Sequence, residues 1–363
     1  MSEQPLEKGL IPIGNVANGY TIISLIGYGR YGATYEVKEK KTGKYFSMKV
    51  ESFDSKKVTL PDEINVVKEL KGNNFPKYHD SGNIEKFQVN YLVTNFLGIS
   101  VEDIHMYHDH CLSIETVYNL AYKMLLVVKA FHSLGFVHQD IKPGNFLLQE
   151  KPEFPLVLID FNLSRRFIDP ETKEIIPCRK QKEFVGTKKY ASINALELLS
   201  SGRNDDLVAW FYSFLDLACG SLPWEDEEDI DKLISMRQSF KVSDLKYKFP
   251  KEIQQIYDYV SKLIYDDKPD YDMIQVLLEE AMKKDLYDLS KFDWADFISK
   301  HTNMIEYQSK MAQKRLKYLN DKKEKLNNRK KNNENKRSRN VDLDDSSERK
   351  HSKKNHKRSC LIQ

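Results

Sequence analysis

The run His138-Gln139-Asp140-Ile141-Lys142-Pro143-Gly144-Asn145, with Asp160-Phe161-Asn162 beginning fifteen residues after Asn145, constrains this chain more than any other feature. It supplies a carboxylate, an ammonium, an amide and a second carboxylate, which a fold must bring to one cleft if they are to act together. Asp140 can orient a hydroxyl and accept its proton, and Lys142 can sit against a transferring phosphate. Asn145 and Asp160 offer oxygen ligands of the kind magnesium prefers. A lone H-x-D says little. The full H-x-D-x-K-x-x-N followed by D-F is specific, and it points to phosphoryl transfer, where positioning and charge relief carry most of the catalysis.

Two further elements lie upstream. Gly27-Tyr28-Gly29-Arg30-Tyr31-Gly32 follows Tyr20-Thr21-Ile22-Ile23-Ser24-Leu25-Ile26, a β-branched and aromatic run that reads as a strand. A G-x-G-x-x-G alone is a weak signal, because a dinucleotide fold uses the same letters with a helix opening at the last glycine. Here Ala33-Thr34-Tyr35-Glu36-Val37 continues as strand, so Gly27, Gly29 and Gly32, with Ile26 before them, read as a hairpin folded over phosphates. Tyr45-Phe46-Ser47-Met48-Lys49-Val50 then places Lys49 in a third strand, where an ammonium grips the α/β-phosphates and pairs with a helix glutamate. Glu63 is the candidate partner, on a helix expected from about Pro61 to Leu70, with Glu51 and Glu69 as rivals.

These motifs in this order resemble a protein kinase. Gly186-Thr187-Lys188-Lys189-Tyr190-Ala191-Ser192-Ile193-Asn194 stands where most kinases carry A-P-E, and its Ser-Ile-Asn is similar to the casein kinase I group, which includes the tau-tubulin kinases. Arg203-Asn204-Asp205-Asp206-Leu207, Gly220-Ser221-Leu222-Pro223-Trp224 and Asp266-Asp267-Lys268-Pro269-Asp270-Tyr271 resemble that group's later helical segments. The resemblance runs from about residue 17 to 297. It implies an α+β, two-lobed kinase fold: a small antiparallel β-sheet lobe with one helix (about 17–97) and a larger mainly helical lobe (about 98–297). An N-terminal extension, 1–16, would precede it.

The resemblance also implies ATP and Mg²⁺ as cofactors, protein Ser/Thr hydroxyls as substrates, and a monomer. Thr94, ending a strand-like run from Val89, aligns with the residue guarding the back of the nucleotide pocket. Asn95, Phe96 and Leu97 align with the hinge that binds adenine. Asp206 resembles a brace beneath the catalytic loop, and Thr187 is expected to bridge Asp140 and Lys142. Tyr118, Leu120, Ala121, Met124, Leu125 and Val128 have helical periodicity and read as core of the large lobe.

Length and composition agree with this reading. A chain of 363 residues, 40% hydrophobic, can bury a large core. Its four cysteines, Cys111, Cys178, Cys219 and Cys360, form no C-x-x-C pair, which argues against a disulfide scaffold or zinc site and for a reducing compartment. No run approaches the roughly 20 apolar residues of a membrane helix, and no signal-peptide core opens the chain, so an intracellular protein is expected.

The net charge of +3 hides a division. Residues 308–363 hold 19 Lys+Arg against 7 Asp+Glu, leaving 38 against 47 for residues 1–307. An acidic body is thus expected to carry a basic tail. Residues 298–327 read as a helical basic extension, with Met311, Leu316, Leu319 and Leu326 among lysines. Residues 328–363 are too poor in apolar side chains to offset chain entropy and read as disordered.

Cys360-Leu361-Ile362-Gln363 fits C-a-a-X with a glutamine that favours farnesyl. Arg349, Lys350, Lys353, Lys354, Lys357 and Arg358 lie just upstream. One lipid with a polybasic patch makes a two-signal anchor, so a membrane-associated protein on the cytosolic face is expected, lipidated at Cys360. An accidental cysteine in a solubilising tail is the bland alternative. A nucleic-acid-binding tail is disfavoured, having no aromatic residue after Tyr318 to stack on bases.

Departures from the family pattern carry their own expectations. Gln139 replaces the arginine that in many kinases reads an activation-loop phosphate, so activity without loop phosphorylation is expected. Asn162 replaces a glycine, and asparagine tolerates the left-handed backbone that turn would need. Glu225-Asp226-Glu227-Glu228-Asp229 stands where casein kinases I carry basic residues that receive a substrate phosphate, leaving Lys188 and Lys189. That change should weaken a preference for primed acidic substrates and favour basic or mixed ones. His105, His108 and His110 lack metal-ligand spacing and read as a solvated loop. The rival to an enzyme is a membrane-tethered pseudokinase scaffold that binds nucleotide and transfers nothing.

Overall fold

A computed structural model describes residues 9–29, 31–149, 156–284, 307–310, 312–313 and 317. The chain divides into two units, residues 1–309 and 310–363. Cys360, expected from the sequence to be lipidated, the polybasic tail and the expected domain end at 285–297 lie outside the described residues.

The small lobe is a six-stranded antiparallel sheet of β1 (Val16–Ala17), β2 (Tyr20–Gly29), β3 (Gly32–Glu39), β4 (Tyr45–Ser52), β5 (Tyr78–Ile84) and β6 (Val89–Asn95), in the order β1-β2-β3-β4-β6-β5. Its period-2 pattern is the reason it forms: Ala33, Tyr35, Val37, Met48, Val50, Val89, Tyr91 and Val93 are buried along one face. Lys49, paired in register with Thr34 and Leu92, belongs to the other face. The β2–β3 pairing skips a partner between Leu25 and Gly27, so Ile26 sits at a bulge, and the hairpin closes at Gly29 opposite Gly32. Gly32 has φ of +127°, and an added Cβ would meet the Val50 carbonyl oxygen at 2.0 Å, so no other residue fits that turn without displacing β4.

Helix α1 (Leu60–Glu69) packs beside this sheet. It opens with a proline in its first turn and buries Leu60, Glu63, Ile64 and Val67, a 3.6-residue stripe that carries one carboxylate inward. The Glu51 carboxylate accepts the backbone N–H of Thr59 (2.9 Å) and Leu60 (2.7 Å) and the Thr59 hydroxyl (3.2 Å). It thereby satisfies donors that every helix start leaves without partners.

The large lobe is built on α2 (Val101–Tyr107), α3 (Ile114–Ser133), α4 (Ile193–Leu196), α5 (Arg203–Cys219), α6 (Ile230–Ser239), α7 (Lys251–Val260) and α8 (Tyr271–Lys284). Short strand pairs run beneath the cleft: β7 (Phe136–Val137) with β10 (Arg165–Arg166), and β8 (Phe146–Leu147) with β9 (Val157–Leu158). The Ser113 hydroxyl accepts Thr116 N at the start of α3. Tyr118, Leu120, Ala121, Met124, Leu125 and Val128 are fully buried there, as their periodicity leads one to expect. Trp210 of α5 closes the contact, its indole N–H donating to the Ala121 carbonyl at 2.9 Å. Such a core, at roughly 25 cal/mol per Å² of apolar surface, is a rigid floor for the loops above it.

Two expectations change. His105 is buried on α2, with only His110 of the three histidines exposed, because Ile104 and His105 share the helix face turned to the core. The left-handed residue of the Asp-Phe-Asn turn is Asp160, at φ +70°, whereas Asn162 lies in a short 3₁₀ turn, Phe161–Leu163. The backbone reverses two residues earlier than the glycine comparison implied, at a residue type that also tolerates the conformation.

Candidate active site

Four loops meet at the cleft, and each is held by backbone bonds that the local sequence supplies. Asp206, near the start of α5, is 1% exposed and accepts the backbone N–H of His138 (2.6 Å) and Gln139 (2.8 Å), while His132 Nε2 lies 2.9 Å from it. Burial works against its charge, but the hydrogen bond from His132 prevails and keeps the carboxyl below the ordinary range. An ionised group can therefore brace the catalytic loop from below. Gln139 is left-handed, at φ +67°, and its side-chain amide donates to the Leu163 carbonyl, tying the catalytic loop to the Asp160 loop. Gly186, at φ +96°, lets the following segment pass close behind, since an added Cβ would meet the Gln139 carbonyl oxygen at 2.6 Å.

This frame gathers the reactive side chains. Asp140 Oδ2 is 2.6 Å from Lys142 Nζ, the Thr187 hydroxyl donates to Asp140 Oδ1 at 2.7 Å, and Lys142 donates to Thr187 Oγ1 at 3.0 Å. Asn145 donates its Nδ2 to the Asp140 carbonyl (2.7 Å), and the Ile159 N–H returns to the Asn145 carbonyl (3.0 Å). Across from them, Lys49 Nζ lies 2.7 Å from Glu63 Oε2 and 2.6 Å from Asp160 Oδ1. The rivals for Lys49 are engaged elsewhere: Glu51 anchors the start of α1, and Glu69 pairs with Arg166.

Burial opposes the charge on Lys49, but Asp160 and then Glu63 outweigh it and hold the ammonium above its ordinary range. Burial likewise opposes ionisation of Asp160, and Lys49 overcomes it, so this carboxyl titrates low. Glu63, with a side chain only 4% exposed, is pushed upward by burial, against the pull of Lys49. Lys142 is raised because Asp140 prevails over burial. At neutral pH the cleft therefore presents fixed ammonium groups beside Asp160 and Asp140.

The remaining expected residues fall around this centre. Gly27, Gly29 and Gly32 form the hairpin over the cleft side of the sheet, with Ile26 at its bulge. Thr94 lies opposite Ser47 near the end of β6, and Phe96 and Leu97 follow as the chain passes to the large lobe. Lys49 bonds to Asp160 Oδ1, and Asn145 spends its Nδ2 on Asp140, so Asp160 Oδ2 and Asn145 Oδ1 provide the hard oxygen donors that suit Mg²⁺.

Lys188 and Lys189 require a correction. They do not stand as an open anion site: Lys188 pairs with Glu228 (3.0 Å), and Lys189 with Glu225 (2.7 Å) and Asp216 (2.9 Å). The acidic stretch, in the connection between α5 and α6, folds back onto them. Three residues have roles that the sequence reading did not give them. Arg237, 1% exposed, donates to the carbonyls of Lys188 (2.5 Å) and Lys189 (3.3 Å). Trp224 donates its indole N–H to the Lys189 carbonyl at 2.9 Å. Asp205 accepts from the Ser192 hydroxyl (2.5 Å), the Asn194 amide and Gly202 N. Trp224 and Asp205 stand in segments that resemble the family, but nothing in the order of residues says which groups they would hold.

A protein kinase domain profile matches residues 20–291. The chain belongs to the protein kinase family. This kinase is 32% identical over 287 residues to a probable serine/threonine-protein kinase of Dictyostelium discoideum, covering 77% of this chain and 57% of that protein. It is 30% identical over 274 residues to casein kinase I homolog 2 of Schizosaccharomyces pombe, covering 73% and 62% respectively. The chain thus spans about three-fifths of the length of these relatives.

Proposed function

We propose that this chain is a serine/threonine protein kinase of casein kinase I type, transferring the ATP γ-phosphate to protein hydroxyls. The observation that carries the reading is the Asp140–Lys142–Thr187 triangle facing the Lys49–Glu63–Asp160 ion triad across one cleft. Asp140 orients the substrate hydroxyl and accepts its proton, while Lys142 and Thr187 hold Asp140 in place. Lys49 sits against the α/β-phosphates, kept there by Glu63, and the backbone of the glycine hairpin covers them. Asp160 and Asn145 would hold Mg²⁺, which would supply charge neutralisation on the phosphates. The casein kinase I assignment is supported by the Ser192-Ile193-Asn194 segment and by the Schizosaccharomyces pombe relative.

Purified protein with labelled ATP, casein and Mg²⁺, alongside Asp160→Asn, tests this. Incorporation abolished by the substitution supports the enzyme. No incorporation by either form, into casein or into a basic serine peptide, supports the scaffold reading instead, and equal incorporation by both forms would show that transfer does not run through Asp160 and overturn the proposal. We also propose the membrane tether, supported by the six basic residues beside Cys360 in the sequence. Intact mass spectrometry of protein from its native cells would show a prenyl mass shift, and an unmodified Cys360 would end that proposal.

A further inference from the structure

The Thr187 hydroxyl touches Asp140, so Lys188 and Lys189 stand one and two residues from the reacting centre, about 4–8 Å along the chain. Cations so placed would ordinarily attract acidic peptides. In this chain their backbone and their charges are both already engaged. Trp224 and Arg237 hold the two carbonyls from beneath, with the Arg237 guanidinium 5.1 Å from the Trp224 ring centre and 5.5 Å from that of Tyr212. Lys189 lies between Glu225 and Asp216, whose side chain is 5% exposed. Lys188 bonds both the Glu228 carboxylate (3.0 Å) and the Glu228 carbonyl (2.9 Å).

We propose that Glu225 and Glu228 are internal counter-ions that decide which charge is accepted beside the reacting hydroxyl. They occupy the two ammonium groups that an acidic or phosphorylated peptide would otherwise engage. The inference rests on the kinase reading above and adds the substrate class: hydroxyls flanked by neutral or basic residues.

The two pairs differ in strength. Lys189 is held by a buried carboxylate as well as Glu225, and an incoming anion cannot easily replace both. Glu228 is 88% exposed, and exposed pairs contribute little. Of the two, Lys188 is therefore masked the more lightly, and it is the one that unmasking should free.

The test uses the full chain and two serine peptides of equal length. One carries acidic residues and a phosphoserine beside the target serine, the other arginines and lysines. Binding is read by fluorescence anisotropy at low salt, and transfer by label incorporation. Glu225→Gln with Glu228→Gln keeps the shape of both side chains and removes their charge. We expect the double variant to bind the phosphopeptide about three- to ten-fold tighter and the basic peptide no tighter. Adding Lys188→Met should erase the gain. Asp231→Asn, at an exposed acid in the first turn of α6, should shift the peptide ratio by less than about two-fold, since it removes a similar charge without unmasking a lysine.

An unchanged ratio in the double variant overturns the proposal. So does an equal shift from Asp231→Asn, which would make the effect a diffuse field. A phosphopeptide gain with no label transferred to either peptide would uphold the counter-ion role and sink the kinase reading alone.

Discussion

At the scale of the residue, Lys49 shows why the cleft needs all of its members. Its ammonium is the shared counter-ion of Glu63 and Asp160, two acids that burial alone would push toward the neutral form. Lys49→Met should therefore abolish phosphate transfer and also cost roughly 3–5 kcal/mol of folding stability, because it strands buried carboxylates. Urea denaturation of the variant checks this, and an unchanged midpoint would show that the triad is not a structural unit. Thr187 acts more lightly. Its hydroxyl joins Asp140 and Lys142, and Thr187→Ala should lower kcat about ten-fold with the KM for ATP unchanged, while Thr187→Ser restores it. A loss confined to KM would assign the hydroxyl to binding.

At the scale of the element, helix starts do much of the positioning. Glu51 accepts three hydrogen bonds at the beginning of α1 and so fixes the helix that carries Glu63. Glu51→Ala should cost about 3 kcal/mol and lower activity through Glu63, measured by denaturation and label transfer together. Asp205 does similar work at the start of α5, and there pH matters. Burial raises its carboxyl from 3.8 to about 6, so the folded state holds a proton that the unfolded state releases. Its contribution is complete below about pH 4 and is lost as pH rises through about 6, a change of up to roughly 3 kcal/mol. Asp205→Asn should flatten the stability profile across that window, and an identical profile in the variant would refute the burial argument.

At the scale of the whole molecule, the loop carrying Thr187 to Tyr190 is tied down by side chains of its own chain. Gln139 reaches Leu163, Arg237 and Trp224 hold the Lys188 and Lys189 carbonyls, and Tyr190 donates to buried Asp216 at 2.7 Å. No phosphate is needed for these bonds. Phosphatase-treated protein should accordingly phosphorylate casein at the untreated rate, and a lost activity that returns only with phosphate between Asp160 and Asn194 would contradict this. Ser352 and Ser359 lie among the basic residues of the proposed tether in the sequence, and Ser352→Glu with Ser359→Glu should weaken binding to anionic vesicles by about 1 kcal/mol per charge cancelled. Unchanged vesicle binding would remove the electrostatic part of that proposal.

Residue type and spacing alone were enough to single out Asp140, Lys142, Asn145, Asp160 and Lys49, which the fold brings together, and periodicity was enough to bury α3. Those signals are local: a strand repeats every second residue, a helix about every 3.6, and a reacting group must be an acid, an amine or an amide wherever it lies. Tertiary structure alone decided which of Glu51, Glu63 and Glu69 faces Lys49, because the choice depends on where α1 starts and on Arg166 nearly a hundred positions later. It also decided that Lys188 and Lys189 have counter-ions, and that Asp160 and Gln139 bear the left-handed turns. Charge pairing across the fold acts through distance in space, and distance along the chain carries no record of it.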